Sequence, residues 1–214
     1  MKTTIVLATR NPNKTREIRK LLENYPIELK NLDDFGPIPE VVEDGETFDE
    51  NAYKKASFTA RVLGFPAMAD DSGLSVTALG GKPGVRSARF ASENATDQEN
   101  VDKLLDEMKE KSDRRAAFEC VISIAVPTGA ALTYEGRCEG TILDAPQGEN
   151  GFGYDPVFFF PDFNKTFAQS SLEEKGRVSH RGKALAQVTD EMDKILDWID
   201  IHMPRPEPFE CKGK

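Results

Sequence analysis

The sequence predicts a mixed α/β fold, and three observations support this prediction. Short apolar runs, such as residues 4–8, are typical of buried strands. Thr47 with Glu50, and Thr96 with Glu99, have the spacing of a helix capping box. Along the chain the predicted elements follow one another as strand, helix, helix, strand, helix, hairpin and helix, an order typical of mixed α/β proteins.

In the first half of the chain, helix-capping and helix-terminating residues define where the predicted helices begin and end. Asn11 is predicted to cap a helix directly after the strand at residues 4–8, because asparagine is a preferred N-cap and proline follows it. The helix opened by Thr47 is predicted to run to residue 63, where Gly64 is a stop signal. A short strand is then predicted at residues 67–69.

The second half is predicted to hold a helix, a hairpin and a long last helix. The helix opened by Thr96 is predicted to end near residue 111. Residues 116–126 and 131–142 are predicted strands joined by a Pro-Thr-Gly turn. The last helix is predicted at residues 183–202. Three prolines and mixed charge after residue 203 predict a single domain over residues 1–203, followed by a disordered tail at 204–214.

Composition limits the class of partner. The net charge of -9 argues against a nucleic-acid polymer, because phosphate neutralisation dominates such binding. It leaves a small nucleotide open as a ligand, since a local group of cations suffices for that. The three cysteines match neither a disulfide framework nor a metal site, which predicts a reducing, cytoplasmic location. No stretch approaches the ~18 apolar residues that predict a membrane helix.

Polar residues follow the first predicted strand, at the start of the first predicted helix. Thr9, Asn11 and Lys14 would offer backbone N–H groups, the positive end of a helix and one ammonium group to an anion. The segment therefore predicts a phosphate cradle. An ordinary strand-to-helix turn is the alternative.

Two acidic segments are candidates for metal binding and water activation. Glu43 precedes the Thr47 helix, where a carboxylate either complements the helix dipole or binds Mg²⁺. Asp70 and Asp71 are adjacent at the predicted end of a strand. This arrangement is unfavourable unless a divalent cation lies between them, with one carboxylate binding the metal and the other activating water. A simple turn with Ser72 is the alternative.

Two later segments are candidates for binding the rest of a nucleotide. Phe152 lies between two glycines, which indicates a ring available for base stacking rather than for core packing. A ring that fills a turn is the alternative. Lys175, His180 and Arg181 precede the last predicted helix, where the dipole disfavours cations and where an anionic partner would explain them. A purely structural histidine is the alternative.

The segments also resemble, in their order, the signature blocks of the inosine/xanthosine triphosphate pyrophosphatase family. The resemblance covers about residues 3–200. It is carried by the blocks Thr9-x-Asn11-x-x-Lys14, Thr47-Phe48-x-Glu50-Asn51-Ala52, Ala69-Asp70-Asp71-Ser72-Gly73-Leu74, Leu79-Gly80-Gly81-x-Pro83-Gly84-Val85-x-Ser87-Ala88-Arg89, Gly151-Phe152-Gly153-Tyr154-Asp155-Pro156 and Ser179-His180-Arg181.

The resemblance implies an elongated mixed β-sheet with flanking helices and two lobes around a central cleft, in a homodimer. It implies Mg²⁺-dependent hydrolysis of ITP, dITP and XTP to the monophosphate and pyrophosphate. Asp71 is implied to be the proton acceptor and a metal ligand. Thr9, Asn11, Lys14 and Lys55 are implied to meet the triphosphate, and Ser72 to contact the substrate. The base pocket is implied to be lined by Phe152, Gly153, Tyr154 and Asp155, with Lys175, His180 and Arg181 completing recognition.

One position departs from the family pattern. Many members have a metal-binding glutamate where this chain has Val42, so Glu43 is the predicted substitute, with Asp70 as a second catalytic carboxylate. Arg181 or a backbone N–H is the candidate donor to the 6-keto oxygen of the base. Two other functions stay open: a pyrophosphatase for modified pyrimidine nucleotides, and a nucleotide sensor without turnover, against which the intact aspartate pair argues.

Overall fold

A seven-stranded mixed sheet organises the protein, and the computed structural model describes residues 2–203. Its strands are β1 (Thr3–Leu7), β2 (Ile27–Asn31), β3 (Ala67–Val76), β4 (Arg115–Ala125), β5 (Ala131–Ile142), β6 (Phe158–Phe160) and β7 (Lys165–Thr166). The order in the sheet is β2-β1-β3-β4-β5-β6-β7. Strand β1 is parallel to β2 and β3, and the remaining pairs are antiparallel. The predicted α/β fold with a mixed sheet is confirmed.

Each α-helix among residues 2–203 except the last begins where a side chain accepts from one of its first backbone N–H groups. The helices are α1 (Pro12–Leu21), α2 (Phe48–Leu63), α3 (Asp97–Met108), α4 (Leu172–Val178), α5 (His180–Asp190) and α6 (Met192–His202). Asn11, Thr47 and Thr96 are the N-caps of α1, α2 and α3, as predicted. The box at Thr96 is reciprocal, whereas Glu50 accepts from the backbone N–H of Glu46 instead of closing a box with Thr47.

The prediction that a strand ends at residue 69 is wrong. Strand β3 continues through Asp70 and Asp71 to Val76, and it pairs with β4 along its whole length. Aspartate is intrinsically unfavourable in strands. Cationic partners of both carboxylates, described below, override that preference here. The two aspartates therefore lie within the sheet and not in a loop.

The single last helix predicted at residues 183–202 is also wrong. Two helices, α5 and α6, meet at Glu191, and α5 begins earlier because Ser179 caps it through the N–H of Gly182. Val188, Met192 and Ile195 are all buried, so the apolar spacing continues across the break and did not reveal it. Strands β2, β6 and β7 and helix α4 were not predicted.

Two large apolar clusters lie toward opposite ends of strand β3. Met68 belongs to a cluster built with α1, α5 and α6, and Leu74 to a cluster built with α3 and the aromatic rings around Phe158. Asp70 and Asp71 lie between these residues along the strand. The polar centre of the sheet is therefore flanked by apolar packing on both sides.

Helix α5 packs directly onto strand β5 at Gly136. A Cβ atom on Gly136 would overlap the carbonyl oxygen of His180 and lie 2.7 Å from the backbone nitrogen of Ala184. Only glycine allows so close an approach. The missing side chain therefore sets the distance between the sheet and the first turn of α5.

Within residues 2–203, no helix is long and apolar enough to cross a membrane. The predicted disordered tail at 204–214 lies outside the described residues. The predicted single domain over residues 1–203 stays a prediction.

Candidate active site

A pocket of about 440 Å³ opens on the polar centre of the sheet. All but one of the residues predicted for the site contribute to its wall. They are Thr9, Asn11, Lys14, Glu43, Lys55, Asp71, Ser72, Phe152, Gly153, Tyr154, Asp155, Lys175, His180 and Arg181. Asp70 is the exception, because its carboxylate lies behind the wall and is almost completely buried.

The turn between β1 and α1 lies at one end of the pocket, and side-chain hydrogen bonds hold its backbone in place. Asn11 Oδ1 accepts from the backbone N–H groups of Asn13 and Lys14, and Thr9 Oγ1 accepts from the N–H of Asn11 at 3.2 Å. The start of α1 and the Lys14 side chain both reach the pocket wall. This end of the pocket is therefore electropositive and preorganised for an anion.

Asp70 holds two cations through a single oxygen atom. Its Oδ2 lies 3.0 Å from Lys14 Nζ and 2.9 Å from Arg181 Nη2, and it also accepts from Ser72 Oγ at 3.1 Å. Burial opposes the charged carboxylate, but Lys14 and Arg181 outweigh that effect and hold the pKa of Asp70 far below its usual value. Asp70 is thus ionised at neutral pH, and its cations are held by Oδ2 alone, because Oδ1 is buried and has no hydrogen-bond partner among the described residues.

Asp71 forms a separate cluster with Lys55 and Glu43. Lys55 Nζ lies 2.8 Å from Asp71 Oδ1 and 2.8 Å from Glu43 Oε2. Burial raises the pKa of Asp71 above its usual value even though Lys55 acts against that rise. Burial also opposes the charged form of Glu43, but Lys55, Lys14 and the hydrogen bond with Asp71 together outweigh burial and lower the pKa of Glu43. The two carboxylates meet at one ammonium group but differ in basicity.

The acidic segment before α2 is held by Asn51 and Arg89, which belong to the quoted sequence blocks but had no predicted role. Asn51 Oδ1 accepts from the backbone N–H of Gly45 at 2.8 Å, and its Nδ2 donates to Asp71 at 3.3 Å. Arg89 donates to the backbone carbonyl of Glu43 at 3.0 Å. Val42 is 74% exposed, whereas Glu43 lines the pocket. The structure therefore places Glu43, and not its neighbour, toward the site.

At the other end of the pocket, Phe152 lies beside two cations on a loop that Asp155 and Tyr154 anchor by hydrogen bonds. Lys175 Nζ lies 4.7 Å and the Arg181 guanidinium carbon 5.8 Å from the centre of the Phe152 ring. Asp155 Oδ2 accepts from the backbone N–H of Phe152 at 3.0 Å and from Lys175 Nζ at 2.6 Å. Tyr154 donates to the carbonyl of Ser87 at 2.8 Å. The ring is thus a supported platform at the pocket wall.

Glu17 is a buried carboxylate that sequence reasoning missed. It accepts from Lys175 Nζ at 3.1 Å and from Arg181 Nη1, so it joins the two cations beside Phe152. Its burial conflicts with its charge, but Arg181 and Lys175 outweigh that cost and lower its pKa. One signal was present in the sequence: Glu17 lies on the apolar face of α1, next to Ile18 and four residues before Leu21.

His180 is buried and stacked on Phe118, with ring centroids 4.7 Å apart and an interplanar angle of 14°. Burial, helped by the nearby charges of Arg181 and Lys175, lowers its pKa well below the usual value. The imidazole is therefore neutral at pH 7 and adds no further positive charge to this end of the pocket.

Within the described part of the chain, no group of three histidine, cysteine, aspartate or glutamate side chains is arranged to hold a metal ion. Glu43 and Asp71 supply two carboxylates at one point of the pocket wall. Hard carboxylate oxygens are the protein ligands that Mg²⁺ prefers, and one or two of them suffice when substrate phosphates complete the coordination. The donor set fits a magnesium ion shared with a phosphorylated ligand.

Comparison with known proteins assigns the family. Residues 5–191 match the model of the Ham1 family. This chain belongs to the Ham1 family. It is 58% identical over 204 residues to the dITP/XTP pyrophosphatase of Desulfotalea psychrophila, with 95% of this chain and 92% of that protein covered. It is 61% identical over 195 residues to the enzyme of the same name from Syntrophobacter fumaroxidans, with 91% and 84% covered.

Solved structures of Ham1 proteins have the same fold. The HAM1 protein from Coxiella burnetii is 42% identical with a TM-score of 0.84, and the alignment covers 90% of this chain and 99% of that one. The Staphylococcus aureus Ham1 protein is 40% identical with a TM-score of 0.82, with 90% and 100% covered. The resemblance found in the sequence blocks is therefore confirmed as family membership.

Proposed function

We propose that this Ham1-family chain hydrolyses ITP, dITP and XTP to the corresponding monophosphate and pyrophosphate. Relatives that are 58% and 61% identical over nearly its whole length are named dITP/XTP pyrophosphatases. One observation carries the proposal. A single pocket joins a buried carboxylate of raised pKa, lysines suited to phosphates, and an aromatic platform suited to a base.

We assign the triphosphate to the end of the pocket formed by α1 and α2. Thr9 and Asn11 line this end of the pocket beside the positive end of the α1 dipole, while Lys14 and Lys55 offer ammonium groups. Lys14 and Lys55 are mostly buried, with side-chain exposures of 15% and 12%. Charges in such a partly enclosed site are screened by water less than surface charges are, so they bind phosphate more strongly.

We assign the proton acceptor to Asp71. Its carboxylate lines the pocket, and its raised pKa makes it a better base than an ordinary aspartate near neutral pH. It removes a proton from a water molecule as the water oxygen bonds to the α-phosphorus and the bond from that phosphorus to the pyrophosphate oxygen breaks. Lys14 and Lys55 stabilise the negative charge on the phosphate oxygens and on the leaving pyrophosphate.

Asp70 was a candidate for a second catalytic carboxylate, and we propose instead that it positions Lys14 and Arg181. It lies behind the pocket wall, and its strongly lowered pKa makes it a poor base. Glu43 and Asp71 are the proposed ligands of Mg²⁺. When bound, the cation supplies charge neutralisation at the phosphate oxygens.

We propose that the preference for certain nucleobases depends on the N–H donors of Arg181 and Lys175 that are not used within the protein. A guanidinium has five N–H donors. Four bonds from Arg181 reach Glu17, Asp70 and Ser72, so one donor is left among the described residues. Lys175 has three, and two are used by Glu17 and Asp155. We propose that these remaining donors bind the 6-keto oxygen, and that the 6-amino group of adenine is rejected at a cost of about 1–3 kcal/mol.

We also propose that the protein acts as a homodimer in the cytoplasm on free nucleotides. Its net charge of -9 argues against nucleic-acid polymers, and the thiols of Cys120 and Cys138 are free, as expected in a reducing compartment. The two apolar clusters along β3 support a two-lobed arrangement around the pocket.

Pyrophosphate release tests the function. The panel contains ITP, dITP, XTP, ATP, GTP, dUTP and dTTP, each with and without Mg²⁺. We expect magnesium-dependent release that is fastest with ITP, dITP and XTP. Preference for dUTP or dTTP would indicate a pyrimidine house-cleaning enzyme, and tight ITP binding without release would indicate a sensor; either result would overturn the proposal.

A further inference from the structure

The N-terminus of α3 touches the loop that carries the aromatic platform. Asp97 Oδ2 accepts a 2.7 Å hydrogen bond from the backbone N–H of Gly153, which directly follows Phe152. The two residues are separated by 56 positions in sequence, and both line the pocket. Asp97 is exposed and forms none of the salt bridges found among the described residues. Its contact with Gly153 is therefore a bond between two separate parts of the pocket wall.

The same helix end also bonds a second segment of the chain that lines the pocket. Asn100 lies one turn after Asp97, is buried, and lines the pocket. Its side chain accepts from the N–H of Ala91 at 2.8 Å and donates to the carbonyl of Ala88 at 3.1 Å. The start of α3 thus bonds residues 88–91 through Asn100 and the Phe152 loop through Asp97.

The loop around Phe152 also has a second hydrogen bond, to Asp155 on its buried side. Asp155 accepts from the N–H of Phe152 on the buried side, while Asp97 accepts from the next N–H on the exposed side. Gly153 lies between them with a φ of 60°, a conformation that is easily populated only by glycine. Without the outer bond, the backbone at this flexible residue would be fixed on one side only.

We infer that Asp97 is a positioning residue for the nucleobase, which holds the Phe152 loop in its binding conformation through the N–H of Gly153. A hydrogen bond to a carboxylate is stronger than a neutral one. Its loss frees the platform, so part of the binding energy is used to order the loop again. This inference rests on the proposed function, because it concerns the base end of the same pocket.

The alternative is that Asp97 only complements the dipole of α3, since it is the first residue of that helix. The variants D97A and D97N separate the two. D97N loses the charge but keeps an oxygen that can accept from Gly153, whereas D97A loses both. D102A is the matched control, because Asp102 is exposed on the same helix and bonds only Gln98 among the described residues.

Three quantities are measured for each variant: kcat and KM for ITP hydrolysis, the Kd for ITP with metal chelated, and amide hydrogen exchange at Gly153. For D97A we expect KM and Kd to rise about tenfold, kcat to change less than about twofold, and exchange at Gly153 to accelerate. D97N should lie closer to the parent protein than to D97A, and D102A should match the parent.

Two results would overturn the inference: unchanged Kd and exchange in D97A, or equal effects in D97A and D97N, which would indicate the helix dipole alone. If the parent protein binds ITP without hydrolysing it, the proposed function fails while Kd and exchange still decide the role of Asp97. If it does not bind ITP at all, both fail. Should D97A melt below the assay temperature, D97S takes its place.

Discussion

Asp70 and Asp71 are neighbours in strand β3, yet they are ion-paired with different lysines. Lys14 lies 3.0 Å from Asp70, and Lys55 lies 2.8 Å from Asp71. Successive side chains of a strand point to opposite faces, so the two carboxylates enter different surroundings. Asp70 is completely enclosed, while Asp71 reaches the pocket. The two aspartates therefore have different roles: Asp70 positions the cations Lys14 and Arg181, and Asp71 is available to the substrate.

Replacing Asp71 by asparagine tests the assignment of the proton acceptor. The amide has nearly the same size but cannot accept a proton, so we expect kcat for ITP to fall about 10²–10⁴-fold. ITP binding should stay measurable by calorimetry. The control is D44N, which alters an exposed carboxylate of the acidic segment paired with Lys54. Full activity in D71N would exclude Asp71 as the base.

Replacing Glu43 by glutamine tests the proposed magnesium ligand. The neutral amide is a weaker ligand for a hard cation, so the Mg²⁺ concentration for half-maximal activity should rise about tenfold or more. Pyrophosphate release is measured over a magnesium titration. E46Q, an exposed position of the same segment, serves as the control. An unchanged titration midpoint in E43Q would show that the metal is held elsewhere.

Replacing Phe152 by alanine tests the base platform. Stacking contributes about 1–3 kcal/mol per base, so KM for ITP should rise about 5- to 150-fold while kcat changes little. Steady-state kinetics measure both constants. The comparison variant is F65A, which removes a partly exposed ring outside the pocket. A loss confined to kcat would contradict a role in binding the base.

Replacing Glu17 by glutamine tests the buried bridge between Lys175 and Arg181. Removing one partner of a buried ion pair lowers the free energy of unfolding by about 3–5 kcal/mol. Because glutamine has the same shape as glutamate, we expect E17Q to lose about 3 kcal/mol. We also expect the preference for ITP over ATP to fall, because the two cations lose their common anchor. Urea unfolding and the ratio of kcat/KM values measure these effects. E23Q, in the exposed turn after α1, should change neither.

The buried histidine gives the protein a pH-dependent stability. The pKa of His180 is lowered by burial, whereas an unfolded histidine titrates near about 6.5. The unfolded chain therefore binds a proton that the folded protein excludes. This stability is fully present above that pH and is lost as the pH falls below it, by up to about 2 kcal/mol at pH 5.

Urea unfolding at pH 7.5 and pH 5.0 measures this contribution. H180F keeps a ring against Phe118 but cannot titrate, so its unfolding free energy should fall less between the two pH values. Equal pH dependence in H180F and the parent would exclude His180 as the source.

Much of the site was predictable because its residues follow local signals. Asn11 before a proline predicts a helix cap, and the glycines on either side of Phe152 indicate that its ring is not part of the core. Glu17 was missed because its partners Lys175 and Arg181 are 158 and 164 positions away, and Asp97 because its capping pattern already explained it. Strands as short as β7, with two residues, carry no periodicity that a sequence can reveal.

The contact at Gly136 has a consequence for genetic variation. Any other amino acid there would push α5 away from β5, and with it His180 and Arg181, although position 136 itself does not line the pocket. A substitution at a position outside the pocket would thus displace residues that line it. The tolerance of a position to mutation should therefore depend on how closely the backbone of a neighbouring element approaches it, and not only on its distance from the nucleotide.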